Sequence, residues 1–266
     1  MKIMIGNDDG INSIGIDALI QKVKDLGELT VIAPEKQQSA RSKSLTFHKP
    51  IRINNVTSKS GYPCLAYNSS PADSIILYLH LFGRPDLVIS GINAGDNSSI
   101  HSILTSGTVA VAIEAGLQNI PSFAISLDVP EEYFFSDEFP GEINKVAAIS
   151  VKIINLFMKM PLEFWDQILF ININFPNILH KGTKLEIVQP DTYKYKNYLV
   201  ERVDPKGERY YWLWGDKRND FDISKDCYAL YETKSITISP IGYLGLLNIN
   251  SELQEKINEL DLSDII

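Results

Sequence analysis

The first half of the chain alternates short runs of Val, Ile and Leu with segments of helical apolar spacing, and this alternation restricts the possible folds most. Residues 2–6, 29–33 and 86–90 are predicted strands, and an amphipathic helix is predicted at 14–26. Apolar strands separated by helices are typical of a parallel sheet covered on both sides. We therefore predict an α/β fold with a Rossmann-like, mainly parallel sheet and helices on both faces.

Other segments extend this pattern along the chain. Gly27 is predicted to cap the first helix, and Ser70 with Pro71 predicts the N-terminus of another helix, which ends near Phe82. Residues 91–105 are predicted to be a polar loop. Further strands are predicted near 47–56, 63–67, 121–127 and 167–173, and further helices at 106–116 and 141–160.

The pattern changes beyond about residue 175, where short β-type pieces rich in aromatic residues follow one another. We divide the chain into a metal- and phosphate-binding core at 1–175 and a smaller β-rich extension at 176–266. A C-terminal helix is predicted at 249–262. The extension is predicted to take part in oligomerisation.

Charge and composition exclude several classes of partner. The net charge is -8 and the pI is about 5.1, which argues against binding to nucleic-acid polymers or anionic membranes. For the same reason the aromatic segment at 210–214 fits a packing ridge or a subunit contact better than a base-stacking platform. The two cysteines form no CxxC pair, and neither a signal peptide nor a membrane span is recognisable, so we expect a cytoplasmic protein.

Polar loops follow the predicted strands at the ends where ligands bind in such sheets. They are NDDG at 7–10, QQSARS at 37–42 and SGINAG at 90–95, and TSGT at 105–108 precedes a helix of small residues. In a doubly wound sheet the carboxyl ends of the strands lie at one edge. We therefore expect these loops to come together.

Asp8 and Asp9 are candidates for holding a hard divalent cation, since carboxylates and neutral oxygens suit Mg²⁺, Mn²⁺ or Ca²⁺. Ser39 and Asn93 offer neutral oxygens from neighbouring strand ends. The alternative is that NDDG is only a turn and that one aspartate caps the helix that begins near Ile14.

Ser106 is predicted to cap the small-residue helix, and the free N–H groups at its N-terminus can bind a phosphate, unobstructed at Gly107. The loop at 91–95 lacks the GxGxxG spacing, and no GxxxxGK[ST] motif is present. Dinucleotide and nucleoside-triphosphate motifs are therefore absent.

Five segments occur in a characteristic order along the N-terminal part of the chain. They are NDDG at 7–10, APEKQQSARSKSLTFHKPIRI at 33–53, SPAD at 70–73, PDLVISGINAG at 85–95 and SGTVAVAIEAG at 106–116. In this order they resemble the SurE family of metal-dependent nucleoside-monophosphate phosphatases.

The resemblance implies a SurE-like fold, a divalent cation and hydrolysis of nucleoside 5'- and 3'-monophosphates. The metal ligands that it implies are Asp8, Asp9, Ser39 and Asn93. On the phosphate side it implies Asn97, Ser106, Gly107 and Thr108 as catalytic and substrate-binding residues, together with the two aspartates.

The resemblance also implies a homodimer or homotetramer held partly by exchanged C-terminal segments.

Three departures from the family pattern concern loop geometry and substrate preference. Ala40 stands where glycine is frequent, Ser69-Ser70 replaces a common Gly-Thr, and the loop at 96–105 lacks the usual Leu-Gly.

Two other functions remain as alternatives. A haloacid-dehalogenase-like phosphatase also places an aspartate after its first strand, but it needs Asp-x-Asp, whereas here the pair is adjacent. A non-catalytic protein that uses a metal only to hold a nucleotide is the second alternative.

Overall fold

A computed structural model of the chain describes residues 1–130, 133 and 142–243. Its strands are β1 (Lys2–Gly6), β2 (Glu28–Pro34), β3 (Ile53–Thr57), β4 (Pro63–Tyr67), β5 (Leu87–Ala94), β6 (Ser122–Leu127), β7 (Ile168–Phe175), β8 (Leu185–Ile187), β9 (Tyr195–Val203), β10 (Arg209–Lys217) and β11 (Ile236–Gly242). Its helices are α1 (Ile14–Val23), α2 (Asp73–Phe82), α3 (Ile100–Thr105), α4 (Gly107–Leu117), α5 (Ile143–Phe157), α6 (Leu162–Trp165) and α7 (Asp226–Tyr231). The helix predicted at 249–262 lies outside the described residues.

The main sheet has the strand order β3-β4-β2-β1-β5-β6-β7-β11-β8. The pairs from β4 through β2, β1, β5 and β6 to β7 are parallel, whereas β3 pairs with β4, and β11 with β7, in the antiparallel direction. The prediction of a mainly parallel α/β sheet is confirmed.

Alternate residues of β1 face opposite sides of the sheet, and helices cover both sides. Ile3 and Ile5 belong to the apolar cluster that includes Ile16 and Leu19 of α1. Met4 belongs to a second cluster, with residues of α2 and α4. Because both faces are buried beyond the exposed Lys2, residues 3–5 of β1 are all apolar, as expected for an interior parallel strand.

The chain beyond residue 175 contributes to two sheets. β8 and β11 extend the main sheet, and β9 pairs with β10 in a separate antiparallel ribbon. The small β-rich part that the sequence indicated is thus present, but two of its strands belong to the core sheet. The division at residue 175 stays a prediction. No helix within residues 1–130 and 142–243 is long and apolar enough to cross a membrane.

Three local predictions are wrong. α2 begins at Asp73 rather than at Pro71, and the Asp73 carboxylate accepts a hydrogen bond from the backbone N–H of Ser70 at 3.0 Å. Gly27 does not cap α1, which ends at Val23. A Cβ at Gly27 would lie 2.2 Å from the carbonyl oxygen of Met1, so close approach explains this glycine.

The third correction concerns the predicted polar loop at 91–105, which contains α3. Ser99 caps this short helix by accepting a hydrogen bond from the backbone N–H of Ser102. The six residues of α3 are too few to show a helical period of apolar residues that could be recognised in the sequence.

Gly116 allows α4 to pack directly against β7. A Cβ at Gly116 would lie 1.8 Å from the carbonyl oxygen of Leu169, so Gly116→Ala must push the helix away from the sheet. We expect this substitution to lower the free energy of unfolding by roughly 2–3 kcal/mol. Urea denaturation measures the effect.

Gly182→Ala is the matched control, because Gly182 is exposed and a Cβ there meets nothing within 4 Å. We expect a change of less than about 0.5 kcal/mol. Equal stability losses in the two variants would contradict the close packing of α4 on β7.

Candidate active site

The hydrogen bonds of Asn7 hold the NDDG turn together, and neither aspartate caps a helix. The Asn7 amide donates to the carbonyl oxygen of Gly10 at 3.0 Å and to the hydroxyl of Ser13 at 2.7 Å. Ser13 in turn caps α1 by accepting from the backbone N–H of Ile16 at 3.3 Å. The alternative in which Asp8 or Asp9 caps this helix is therefore wrong.

Asp8 is held from behind by the N-terminus of α4. Its side chain accepts a short hydrogen bond from the Thr108 hydroxyl, whose oxygen lies 3.3 Å from Asn93 Oδ1. The helix can approach this closely only because residue 107 is glycine, since a Cβ there would lie 2.6 Å from the Cβ of Asp8. The N-terminus of α4 therefore orients one of the two carboxylates.

Asp9 faces a different set of donors. Its carboxylate accepts from the backbone N–H of Ala94 at 3.0 Å and from the Gln37 amide at 3.3 Å. These contacts tie the turn after β1 to the end of β5 and to the loop after β2. Three strand ends are thus joined through one side chain.

Burial places both carboxylates in an unfavourable electrostatic position. Loss of water raises the pKa of Asp8, although the Thr108 hydroxyl and the N–H groups at the start of α4 lower it in part. Burial, followed by the negative charge of Asp8, raises the pKa of Asp9 to about 8. Neither carboxylate forms an ion pair with any described residue.

A divalent cation fits this environment, because it supplies the positive charge that the surrounding side chains lack. No three His, Cys, Asp or Glu side chains cluster within the described residues. A cation at Asp8 and Asp9 would need neutral oxygens as further ligands, and Ser39 and Asn93 line the same cleft as Asp8. Asn93 is fixed by its amide, which donates to the carbonyl oxygen of Gly95 at 2.6 Å.

The carboxyl ends of several parallel strands open into one cleft of about 990 Å³. Of the residues predicted from the sequence, the cleft is lined by Asp8, Ser39, Asn93, Asn97 and Ser106. The remaining three, Asp9, Gly107 and Thr108, do not line it. Thr108 is fully buried, and its hydroxyl donates to Asp8.

The loop that carries Ser39 is attached to the helices on the far side of the cleft. Ser42 donates from its backbone N–H to the carbonyl oxygen of Thr105 at 3.0 Å, and Lys43 forms an ion pair with Glu114 at 2.5 Å. Ala40 has a φ of 56°, in the left-handed region that favours glycine. This explains why a glycine suits the position and shows that alanine is accommodated there.

Asn97 and Ser106 have fixed positions on the cleft wall. The backbone N–H of Asn97 donates to Asn174 Oδ1 at 2.7 Å, and its amide donates to the Ser126 hydroxyl at 2.8 Å. Ser106 caps α4 as predicted by accepting from the backbone N–H of Val109 at 3.1 Å. Both side chains keep a hydrogen that can be donated to a ligand.

Sequence reasoning missed a buried network on the opposite wall of the cleft. The Lys194 ammonium donates to the Asp96 carboxylate at 2.8 Å and to the Asp96 carbonyl oxygen at 2.7 Å. The Tyr231 hydroxyl donates to the same carboxylate at 2.7 Å. Asp96 directly follows the GINAG loop, and this position could have identified Asp96 as a candidate site residue. Nothing in the sequence links Asp96 to Lys194 or Tyr231.

Comparisons with known proteins agree with this architecture. Residues 3–197 match the family model described as survival protein SurE. The chain is 36% identical to the 5'-nucleotidase SurE of Thermofilum pendens over 255 residues, which cover 95% of this chain and 94% of that protein. It is 34% identical to the 5'-nucleotidase SurE of Thermococcus kodakarensis, with 97% and 98% covered.

A solved structure gives the same picture. The crystal structure of the SurE protein from Aquifex aeolicus superposes with a TM-score of 0.77 at 27% sequence identity. The alignment covers 96% of this chain and 98% of that chain.

Removal of the Thr108 hydroxyl should weaken metal binding without emptying the site. We expect Thr108→Val to lower the affinity for Mn²⁺ by about 10- to 100-fold, because Asp8 loses the donor that orients it. Thr108→Ser should restore most of the affinity. Isothermal titration calorimetry measures both.

Thr237→Val is the matched control for the same isosteric change. Thr237 is also fully buried, and its hydroxyl has no hydrogen-bond partner among the described residues. Its Mn²⁺ affinity should equal that of the wild type. Unchanged affinity in Thr108→Val would show that Thr108 does not position a metal ligand.

The metal-free protein should become less stable as the pH rises. Asp9 has a pKa of about 8 in the folded chain, above its ordinary value of 3.8, so the folded state binds the proton more tightly than the unfolded state does. This stabilisation is complete at low pH and is lost as the pH rises toward about 8. Thermal unfolding in EDTA between pH 5 and 8 measures it.

Asp9→Asn should lose less stability over the same pH range, because the asparagine side chain does not ionise and places no negative charge beside Asp8. Saturating Mn²⁺ should stabilise the wild type more at pH 8 than at pH 5, since the cation binds the ionised carboxylates. Identical pH profiles for the wild type and Asp9→Asn would contradict the assigned electrostatics.

Proposed function

The chain belongs to the SurE family, and we propose that it is a metal-dependent phosphomonoesterase that hydrolyses nucleoside 5'-monophosphates to nucleoside and phosphate. The observation that carries the proposal is the adjacent carboxylate pair formed by Asp8, which lines the cleft, and Asp9, which lies beside it; neither carboxylate forms an ion pair with a described residue. A pair of this kind favours a divalent cation and, through it, a phosphate group.

We propose that Asp8, Asp9, Ser39 and Asn93 hold the cation, Mg²⁺ or Mn²⁺. When bound, a divalent cation polarises a phosphoryl oxygen and makes water a better nucleophile. Asp8 contributes a carboxylate whose direction is set by Thr108, and Asn93 contributes an amide oxygen whose direction is set by the bond to Gly95.

Asn97 and Ser106 are proposed to contact the phosphate. The Asn97 amide donates one of its two hydrogens to Ser126, and the Ser106 hydroxyl oxygen accepts from Val109. Each side chain therefore keeps a hydrogen that it can donate to an equatorial phosphate oxygen as negative charge develops. Gly107 and Thr108 are proposed to act through Asp8. This assignment differs from the one implied by the family resemblance, in which both contact the phosphate directly.

Assembly into a homodimer or homotetramer, a cytoplasmic location and the absence of nucleic-acid polymers as partners stay predictions. The same holds for hydrolysis of nucleoside 3'-monophosphates, which a direct comparison of 5'-AMP and 3'-AMP as substrates would test.

Replacement of either aspartate should remove the metal-dependent activity. We expect Asp8→Asn and Asp9→Asn each to lower phosphate release from 5'-AMP in Mn²⁺ by at least about a hundredfold, because a carboxylate ligand is lost. Asp25→Asn, at an exposed position, is the control and should keep wild-type activity. EDTA should abolish turnover in the wild type.

Three results would contradict the proposal in different ways. Full activity of Asp9→Asn would exclude this metal site. An aspartyl-phosphate trapped by mass spectrometry would favour the haloacid-dehalogenase-like reaction. Tight binding of 5'-AMP without phosphate release, across several metals, would favour a nucleotide-binding protein.

A further inference from the structure

The ribbon formed by β9 and β10 is anchored at its base to the loop that carries the active-site amides. The backbone N–H of Arg218, just after β10, donates to the carbonyl oxygen of Lys194, just before β9, at 2.9 Å. Lys194 is itself buried and bound to Asp96. The position of the ribbon is therefore fixed relative to Asn93 and Asn97.

The ribbon carries a group of aromatic residues, and two of them line the cleft, Trp214 of β10 and Tyr195 at the start of β9. Trp214 thus lines the same cleft as Asp8 and Ser39, whereas Tyr210, Tyr211 and Trp212 do not. About half of Trp214 is exposed, with a relative accessibility of 53%. A flat apolar surface therefore lies in the same cleft as the Asp8 carboxylate.

Trp214 has an aromatic neighbour across the ribbon. It lies opposite Tyr198 in the antiparallel register, and the Tyr198 hydroxyl donates to Asp216 at 3.3 Å. Because about half of Trp214 is exposed, its indole is available to a ligand.

We propose that Trp214 stacks on the base of the bound nucleotide, an inference that rests on the proposed function. A cleft that is lined by the Asp8 carboxylate, proposed to hold a cation, and by an aromatic plane suits a ligand with an anionic end and a flat aromatic end. Nucleotides have this chemistry, and purines offer the larger π-face for stacking.

The test compares a nucleotide with a phosphomonoester that has no base. Trp214→Ala should raise KM for 5'-AMP about tenfold, because the stacking contact with the base is lost, and it should leave kcat nearly unchanged. Its kcat/KM for ribose 5-phosphate should equal that of the wild type. Trp214→Phe should recover part of the lost affinity for 5'-AMP.

Trp212→Ala is the matched control. Trp212 lies two residues before Trp214 on the same face of β10 and is 62% exposed, but it does not line the cleft. We expect wild-type kinetics with both substrates. The binding of 5'-AMP should also quench tryptophan fluorescence in the wild type and in Trp212→Ala, but not in Trp214→Ala.

The outcomes separate this inference from the proposed function. Equal losses with 5'-AMP and ribose 5-phosphate in Trp214→Ala, or equal behaviour of Trp212→Ala and Trp214→Ala, would overturn the stacking role while leaving a phosphatase. A wild type that binds 5'-AMP with quenching dependent on Trp214 but releases no phosphate would overturn the proposed function alone. A wild type that neither binds nor hydrolyses 5'-AMP would overturn both.

Discussion

The burial of Asp8 beside Asp9 at the end of β1 is the constraint on which the rest of the site depends. Two adjacent carboxylates removed from water disfavour each other's charge, and burial raises the pKa of both. The carboxylates accept hydrogen bonds from a hydroxyl of α4 and a backbone N–H of β5, and neither pairs with a positive side chain among the described residues. These donors orient the carboxylates without neutralising them, which is why we propose a cation at this site.

This arrangement requires several segments that are far apart in sequence to meet with little tolerance. The parallel sheet brings the strand ends to one edge, and the absence of a side chain at Gly107 lets α4 approach Asp8. The ion pair between Lys43 and Glu114 attaches the loop of Ser39 to the same helix. One helix therefore contacts both Asp8 and the loop that carries Ser39.

Much of the fold could be predicted because its signals are local. Strand and helix periodicity indicated the parallel sheet, and polar residues at strand ends indicated that Asp8, Ser39 and Asn93 would lie in one cleft. The network of Lys194 with Asp96 could not be predicted, since the contact joins residues 98 positions apart without a shared motif. The hydrogen bond from Thr108 to Asp8 could not be predicted for a related reason: a cap sequence does not tell which side of the helix N-terminus a carboxylate occupies.

Anomalous diffraction from crystals of the wild-type protein containing Mn²⁺ tests directly whether a divalent cation binds at Asp8 and Asp9. We expect one strong anomalous peak in the cleft, within coordination distance of carboxylate oxygens of Asp8 and Asp9, with Ser39 and Asn93 as neutral ligands. We also expect Thr108 to keep its hydrogen bond to Asp8 with the cation bound. A peak elsewhere, or none at the aspartate pair under conditions where the protein hydrolyses 5'-AMP, would contradict the proposed cation site.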